Sequence, residues 1–144
     1  MVSLKKILNK ILKSLTGVET KTLLWTNASP SSGFGSQMIS LALSVYDFVE
    51  IYFVGESKDG SYVFRISTPM EKIRTSESIE NYAQVITGIQ SLGYLKSTYR
   101  DFVLYSDHIF FDDAYYKSVS SSGEFDGKSG THLVPYKIYG IKGV

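Results

Sequence analysis

The densest group of residues that could bind a metal or transfer a proton lies between Asp107 and Asp113, in the segment DHIFFDD. On a regular strand, Asp107 and Asp113 would point to one face, and His108 and Asp112 would point to the other. These four side chains are therefore not expected to converge. A Ca²⁺ site built from Asp112, Asp113 and backbone carbonyls would suit the oxygen-rich geometry of calcium. Solvated acids at strand ends explain the same residues more simply.

Other residues that usually carry catalysis are scarce. The chain has no cysteine, which excludes thiolate nucleophiles and cysteine-bound zinc or iron–sulfur clusters. His132, the second of two histidines, has no adjacent acid or histidine that would form a base–orienter pair. Glutamates such as Glu50 and Glu80 could form a glycosidase pair, but only the fold sets their separation. We expect no enzymatic activity, no cofactor and no metal.

Aromatic residues are the most distinctive feature of the composition, with eleven tyrosines and eight phenylalanines among 144 residues. Many must lie in the core, because aromatic and β-branched pairs stabilise cross-strand contacts. An exposed tyrosine instead presents a flat apolar ring with a polar tip, which suits contact with a sugar or a protein. The candidates for such a glycan- or partner-binding face are Tyr94, Tyr99, Tyr115 and Tyr116.

A helical pattern covers residues 1–16, with lysines mainly on the polar face and Gly17 at its end. An isolated amphipathic helix of this length is marginal in water, so we expect its apolar stripe to pack against a partner. Self-association is favoured, with a trimer ahead of a dimer. Docking on another protein, docking on its own domain and binding at a membrane interface are the alternatives. The stripe has the 4-3-4 spacing of a heptad at Leu4, Leu8, Ile11 and Leu15.

Beyond Gly17, short apolar runs alternate with Ser, Gly, Asp and Asn clusters, as is typical of antiparallel β structure. Alternation places Val49, Ile51 and Phe53 on one face of a strand. The Asp-Gly pair at residues 59–60 indicates a hairpin turn. Strands without intervening helices predict a jelly-roll-like β-sandwich, in preference to a barrel. The predicted strands are 22–26, 37–43, 48–54, 61–67, 79–87, 99–105, 108–116 and 134–140.

The domain organisation that follows is simple: residues 1–17 form a helix for oligomerisation or attachment, and residues 18–144 form the β-sandwich. Segment 71–80 fits a helical turn, a strand or a loop. Segment 29–35 is a turn, because its proline and glycines set chain direction. The Ser/Gly-rich segment 118–131 is predicted to be a flexible exposed loop.

The charge balance argues against two classes of partner. A formal net charge of +1 implies no bulk attraction to nucleic acid or to an anionic membrane. The basic residues that could interleave with aromatics, Lys96, Arg100 and Lys117, are dispersed along the chain. No window reaches the roughly 18–20 apolar residues of a membrane-spanning helix. We therefore expect neither nucleic-acid binding nor a membrane span.

Two segments resemble small virion structural proteins of tailed bacteriophages and prophages of Gram-positive bacteria. They are LLWTNASPSSGFGSQMISLALSVYDFVEIYF (residues 23–53) and VPYKIYGIKG (residues 134–143). Such proteins join an N-terminal helical or attachment segment to a β-rich domain, and they often end in a similar P-x-K-I-Y-G-I tail. The resemblance implies a head fibre, a capsid decoration, a tail fibre or a receptor-binding tip. It transfers no functional residue.

Together these features predict a non-enzymatic appendage on the virion surface. Its helix would join copies of the chain or attach to capsid or tail proteins, and its sandwich would contact host cell-surface polysaccharide. A glycan-processing enzyme of a phage appendage and a stand-alone carbohydrate-binding module are the alternatives.

Overall fold

The computed structural model describes residues 3–16, 20–56, 63–74, 78–89, 94–120 and 123–143. They form an N-terminal helix, α1, and β-strands in two antiparallel sheets, with 65% of the structure in strands. This confirms the predicted antiparallel β-sandwich with a short N-terminal helix. Helix α1 covers Leu4–Thr16, and a 3₁₀ turn covers Glu71–Arg74. The strands are β1 (Thr20–Thr26), β2 (Gln37–Ser40), β3 (Phe48–Glu56), β4 (Val63–Pro69), β5 (Ile79–Ile89), β6 (Tyr94–Leu104), β7 (His108–Ser120), β8 (Gly123–Lys128) and β9 (His132–Lys142).

The strands form two sheets. Sheet A has the order β1-β9-β3-β4, and sheet B has the order β2-β7-β6-β5, with β8 also paired to β7. Strand β6 pairs along β7 from Ile109 to Val119, so β2 and β8 occupy the other edge of β7, one after the other. The predicted boundary between helix and sandwich, at residues 17 and 18, lies outside the described residues.

The core lies between the sheets and follows the alternation of the strands. Val49, Ile51 and Phe53 of β3 are fully buried, as their spacing predicts. The Phe53 ring centroid is 5.7 Å from that of Phe102 in β6 and 6.4 Å from that of Phe111 in β7. Burying a side chain of this size stabilises a fold by roughly 1.5–3 kcal/mol. These contacts between sheets hold the sandwich together.

One core residue comes from the segment predicted as a turn. Phe34 is buried, and its ring meets Trp25 at 6.2 Å and Phe111 at 5.5 Å in edge-to-face geometry. Its N–H donates to the Gly130 carbonyl at 2.7 Å. Gly33 has a φ of 87°, which an L side chain rarely adopts, and this turn directs Phe34 inward. The turn prediction is therefore correct for the backbone but misses the core residue that it carries.

The prediction of a flexible loop over 118–131 is wrong. Strand β7 continues to Ser120, and β8 pairs with it antiparallel from Gly123 to Lys128. Glycine has a packing role here, because a Cβ on Gly127 would lie 2.9 Å from the Tyr116 ring that crosses it. The small residues that suggested flexibility therefore allow a close hairpin.

Other boundaries differ by a few residues. Strand β2 ends at Ser40, although the N–H groups of Leu41 and Leu43 still donate to the carbonyls of Asp107 and Ser106. Segment 71–80, left open above, begins with the 3₁₀ turn and ends in β5. The hairpin turn at 58–60 lies outside the described residues. The strands on either side of it, β3 and β4, do pair antiparallel.

Strand β7 carries one extra residue opposite β6. Asp112 and Asp113 together face Asp101, which is the register of a β-bulge. The bulge shifts the alternation by one residue, so Phe111 before it and Ala114 after it are both buried. Downstream of the bulge, the outward positions of β7 are odd-numbered, starting at residue 115.

Candidate binding surfaces

The side of sheet B that points away from sheet A is rich in exposed apolar side chains. We call it the outer face of sheet B. Its large apolar residues are each at least 36% exposed, although they alternate with fully buried neighbours. Exposed apolar patches of this kind mark interaction sites in soluble proteins. They are Met38, Tyr82, Ile86, Leu95, Tyr99, Phe110 and Val119.

Two of the predicted tyrosines meet on this face. Tyr99 of β6 and Tyr115 of β7 are direct cross-strand partners, and their rings stack with centroids 5.7 Å apart and an interplanar angle of 23°. Neighbouring residues of different strands that share a face lie close enough for such contact. The structure therefore joins two residues that are sixteen positions apart in the sequence into one aromatic platform.

A fixed cation borders this platform. The Lys128 ammonium lies 5.8 Å from the centre of the Tyr115 ring and 3.1 Å from the Asp113 carboxylate. The other carboxylate oxygen of Asp113 accepts the Ser36 N–H at 2.9 Å. The hydrogen bond from Lys128 and then that from Ser36 lower the pKa of Asp113, and the same carboxylate raises the pKa of Lys128. The ammonium is thus held charged beside the ring.

Tyr116 is not part of the stacked pair. Tyr116 follows Tyr115 on β7, so its side chain projects to the opposite side of the sheet, where its ring covers Gly127. The Lys96 ammonium lies 5.7 Å from the centre of that ring. Tyr94 begins β6, and its side chain is outside the described part of the structure. Tyr116 nevertheless lines a depression of about 260 Å³ together with Tyr99 and Tyr115.

A groove of about 510 Å³ lies on the outer face of sheet B beside the platform. Its lining combines three carboxylates with apolar side chains, and among the described lining residues none is basic. The groove is formed by outward-facing residues of three adjacent strands. Because these residues belong to separate segments of the sequence, the pattern of a single strand does not predict the groove. Its principal residues are Glu80, Tyr82, Asp101, Val103, Phe110 and Asp112.

The apolar stripe of α1 is exposed. Leu4, Leu8 and Ile11 are 71%, 56% and 51% accessible, so the sandwich of the same chain does not cover them. Among the described side chains of the helix, docking on its own domain is therefore not observed. The side chain of the fourth predicted stripe residue, Leu15, lies outside the described part. Ser3 caps the helix, since its Oγ accepts the Lys6 N–H at 3.2 Å.

The acid–histidine segment does not behave as a regular strand. Strand β7 begins at His108, so Asp107 lies in the preceding turn and its carboxylate reaches His108 Nδ1 at 2.7 Å. The expectation that these two side chains point apart is therefore wrong. The His108 ring stacks on Tyr105 with centroids 4.1 Å apart.

The other two acids of this segment have separate partners. Asp112 Oδ1 accepts the N–H of Asp113, and the carboxylate of Asp113 binds Lys128. Within the described ranges, no three His, Asp or Glu side chains are grouped so as to hold a metal ion.

Glu50 and Glu80 lie on opposite sides of the sandwich. Glu50 is buried on the far side of sheet A, with Lys21 Nζ at 3.2 Å and Arg65 Nη1 at 3.3 Å from its carboxylate. Lys21 also donates to Tyr52 Oη at 2.8 Å, which lowers the pKa of Tyr52 and raises that of Lys21. Packed sheets are already about 10 Å apart, whereas glycosidase carboxyls lie about 5–9.5 Å apart. These two glutamates therefore cannot form a glycosidase pair.

A buried arginine joins the two sheets. Arg100 is inaccessible to solvent and donates to four backbone carbonyls. Its Nε reaches Leu133 at 2.9 Å, its Nη1 reaches Asp112 at 2.6 Å, and its Nη2 reaches Phe34 at 2.8 Å and His132 at 3.3 Å. Leu133 has a φ of 50°, an unusual value for a branched residue, where β9 approaches this guanidinium. Arg100 thus fixes the end of the sandwich that carries the platform.

Small neighbours make room for this arginine. Ala83 and Ala114 pair with Arg100 from the two adjacent strands and are fully buried. Burial lowers the pKa of Arg100 to about 10, and the charges of Asp113 and Asp112 oppose the decrease. The group therefore remains a cation at neutral pH. No local pattern marks it, because its partners are backbone carbonyls of distant segments.

His132 contacts Ser129 through its Nδ1 atom and the serine Oγ, within the turn between β8 and β9. Neither an acid nor a second histidine is adjacent to His132 in the sequence, and this serine is three residues away from it. The turn also brings the His132 carbonyl to Arg100, so the contact has a structural role.

Comparisons with protein-family models, with curated proteins and with solved structures returned no match. The fold and its surfaces therefore define the class: a small β-sandwich with an exposed aromatic sheet face and an amphipathic N-terminal helix. In the part of the chain that the structure describes, no helix is long and apolar enough to cross a bilayer.

Proposed function

We propose that this protein is a non-enzymatic attachment module of a bacteriophage virion, which binds host-surface glycan through the outer face of sheet B. The observation that carries the proposal is the stacked pair Tyr99–Tyr115 on an exposed sheet face. Aromatic rings with polar tips are enriched where one side of a contact is apolar and the other is hydrated. A sugar ring has this mixed character.

The groups around the platform suit a polar ligand. Lys128 supplies a donor beside Tyr115. A shallow depression of about 260 Å³ is lined by the two stacked tyrosines together with Tyr116, Lys117, Asp126 and Gly127. Sugar hydroxyls both donate and accept hydrogen bonds, so an ammonium and a carboxylate at one site complement them. A site this shallow is expected to bind a glycan with a dissociation constant on the order of millimolar, or about −4 kcal/mol.

Weak sites hold firmly when several act together, because linked sites raise the effective concentration. The exposed stripe of α1 offers the means of assembly, either with copies of the chain or with capsid or tail proteins. The resemblance of residues 23–53 and 134–143 to phage virion proteins supports placement on the virion surface. Head fibre, decoration, tail fibre and receptor-binding tip are all compatible with this assembly.

Retention on purified cell-wall polysaccharide of a Gram-positive bacterium tests the proposal, with reducing ends measured in the same incubation. We expect the full chain to be retained without release of sugar. Tyr115→Ala should lower retention at least fivefold. Tyr139→Ala, at the cross-strand partner of Glu50 on the far side of sheet A, is the matched control and should bind like the original chain once its far-UV spectrum shows that it is folded. Catalytic release of reducing ends would instead identify a glycan-processing enzyme, and equal losses in both variants would exclude the platform as the site.

A further inference from the structure

Two exposed apolar surfaces of this chain carry opposite charges. Helix α1 has four lysines, at positions 5, 6, 10 and 13, and no acidic residue. The groove on the outer face of sheet B has Glu80, Asp101 and Asp112 among its lining residues, with no basic residue among those described. Complementary potentials of this kind select partners and fix their register.

We propose that α1 of one copy lies in the groove on the outer face of sheet B of a second copy. The proposal rests on the assembly role given to α1 under the proposed function and names the surface to which the helix binds. Leu4, Leu8 and Ile11 would pack against Tyr82, Val103 and Phe110.

The placement of the lysines matches such a contact. At 3.6 residues per turn, Lys5 and Lys10 border the apolar stripe, whereas Lys6 lies on the far face. Lysines at the border of an apolar contact keep their stems on the apolar surface and extend their ammonium groups to its rim. Glu80 and Asp101 are exposed lining residues of the groove on adjacent strands, within reach of these ammonium groups in the proposed contact.

The outer face of sheet B is long enough for the helix. A helix of the 13 residues in α1 is about 20 Å long and about 10 Å wide. The groove lining covers residues 80–82, 101–103, 110 and 112, which is about 7 Å along each strand, so the groove takes part of the helix. The rest of α1 would lie on the same face, where β5 with 11 residues extends about 36 Å. Tyr99 and Tyr115 are not among the lining residues of the groove.

The helix of the same chain cannot reach this position. Residues 17–19 separate α1 from β1, which belongs to sheet A, and the four Cα–Cα steps from Thr16 to Thr20 span at most about 14 Å. Sheet B lies about 10 Å from sheet A, and the axis of a helix packed on the outer face of sheet B lies about 10 Å farther out. The helix axis is therefore about 20 Å from sheet A. The occupant must therefore come from another copy. In a dimer, each copy would bind the helix α1 of the other. In a trimer, each copy would bind the helix α1 of the next copy around a ring.

Charge reversal tests the proposal through the mass of the full chain in solution, measured by light scattering at tens of micromolar. The original chain should be an oligomer of its 16.1 kDa protomer. Glu80→Lys with Asp101→Lys should give a monomer, and so should Lys5→Glu with Lys10→Glu. A chain that carries all four changes should regain the oligomer. Glu124→Lys, an exposed acid on the same sheet outside the groove, is the control and should leave the mass unchanged.

A zero-length carbodiimide cross-linker gives a second measurement that does not depend on variants, because it joins lysine amines directly to carboxylates in contact. In a mixture of ¹⁵N-labelled and unlabelled chains, we expect cross-links from Lys5 or Lys10 to Glu80 or Asp101 between a labelled and an unlabelled copy. A monomeric original chain would overturn the proposal. An oligomer that survives reversal of the groove charges, or cross-links found solely within one copy, would also overturn it. Glycan retention is measured separately, with Tyr115→Ala, so failure of the proposed function is distinguishable from failure of the helix–groove contact.

Discussion

Replacing Arg100 with methionine removes the guanidinium while it keeps most of the volume of the buried stem. Three of the four hydrogen bonds of Arg100 measure 2.6–2.9 Å, and their acceptors are backbone carbonyls in a buried region. Leaving a buried acceptor without its donor costs about 1–3 kcal/mol. Three such acceptors at about 2 kcal/mol each give a gross loss of about 6 kcal/mol.

The burial of the cation offsets part of this loss. The lowering of the pKa of Arg100 to about 10 corresponds to about 3 kcal/mol of desolvation that the charges of Asp113 and Asp112 do not offset, at about 1.4 kcal/mol per pKa unit. Methionine relieves that cost. The net decrease in the free energy of unfolding for Arg100→Met should therefore be about 3 kcal/mol, a large share of the 5–15 kcal/mol typical of a domain.

Urea unfolding at pH 7 measures this change, with Trp25 fluorescence and far-UV circular dichroism as two probes. Trp25 is the single tryptophan and contacts Phe34, whose carbonyl accepts from Arg100. Lys117→Met is the matched control. Its side chain is 53% exposed, and its ion pair with Glu124, which is 64% exposed, should contribute at most about 1 kcal/mol. A loss below about 1 kcal/mol for Arg100→Met, or equal losses for the two variants, would refute the assigned role.

Three further changes test the packing and the electrostatics. Phe53→Ala should cost roughly 3–5 kcal/mol in urea unfolding, because the ring is fully buried between the sheets, and a loss under 1 kcal/mol would place the ring outside the core. Gly140→Ala should lower the unfolding midpoint, because its Cβ would lie 2.6 Å from the Tyr46 ring, whereas Gly130→Ala, with open space around it, should not. The lowered pKa of Asp113 means that its ion pair stabilises the fold above the ordinary pKa of 3.8 and that this contribution is lost as pH falls through the lowered value. The deficit of Asp113→Asn seen at about pH 6 should accordingly vanish at about pH 2 in thermal unfolding, and a deficit that persists there would contradict the assignment.

The parts of the fold that depend on local patterns could be predicted from the sequence. Strand β3 and its buried face follow from strict alternation, because each residue of a pleated strand points opposite to its neighbours. Helix α1 follows from the 3.6-residue period of its apolar residues. Both patterns are complete within one segment, so they require no knowledge of the partner strands.

The remaining features depend on how distant segments meet. Phe34 and Arg100 are buried because loops from both sheets close over them, and nothing adjacent to either residue indicates that closure. Strand β8 was not predicted because the serine and glycine residues of its segment are typical of loops. The role of Gly127 in the fold, which is to leave room for the Tyr116 ring of the paired strand β7, depends on a contact that the local sequence does not show. The bulge at Asp112 changes which side chains share a face beyond it. The Tyr99–Tyr115 pair could therefore be proposed residue by residue, but the register that stacks the two rings could not.

Chemical-shift mapping by ¹H–¹⁵N NMR, with fragments of the cell-wall polysaccharide added to the full chain, tests the central claim most directly. We expect shifts confined to the outer face of sheet B around Tyr99, Tyr115 and Lys128, and no new reducing-end signals from the sugar over the course of the titration. Shifts centred on sheet A, an absence of shifts at millimolar fragment, or new reducing-end signals would contradict the claim.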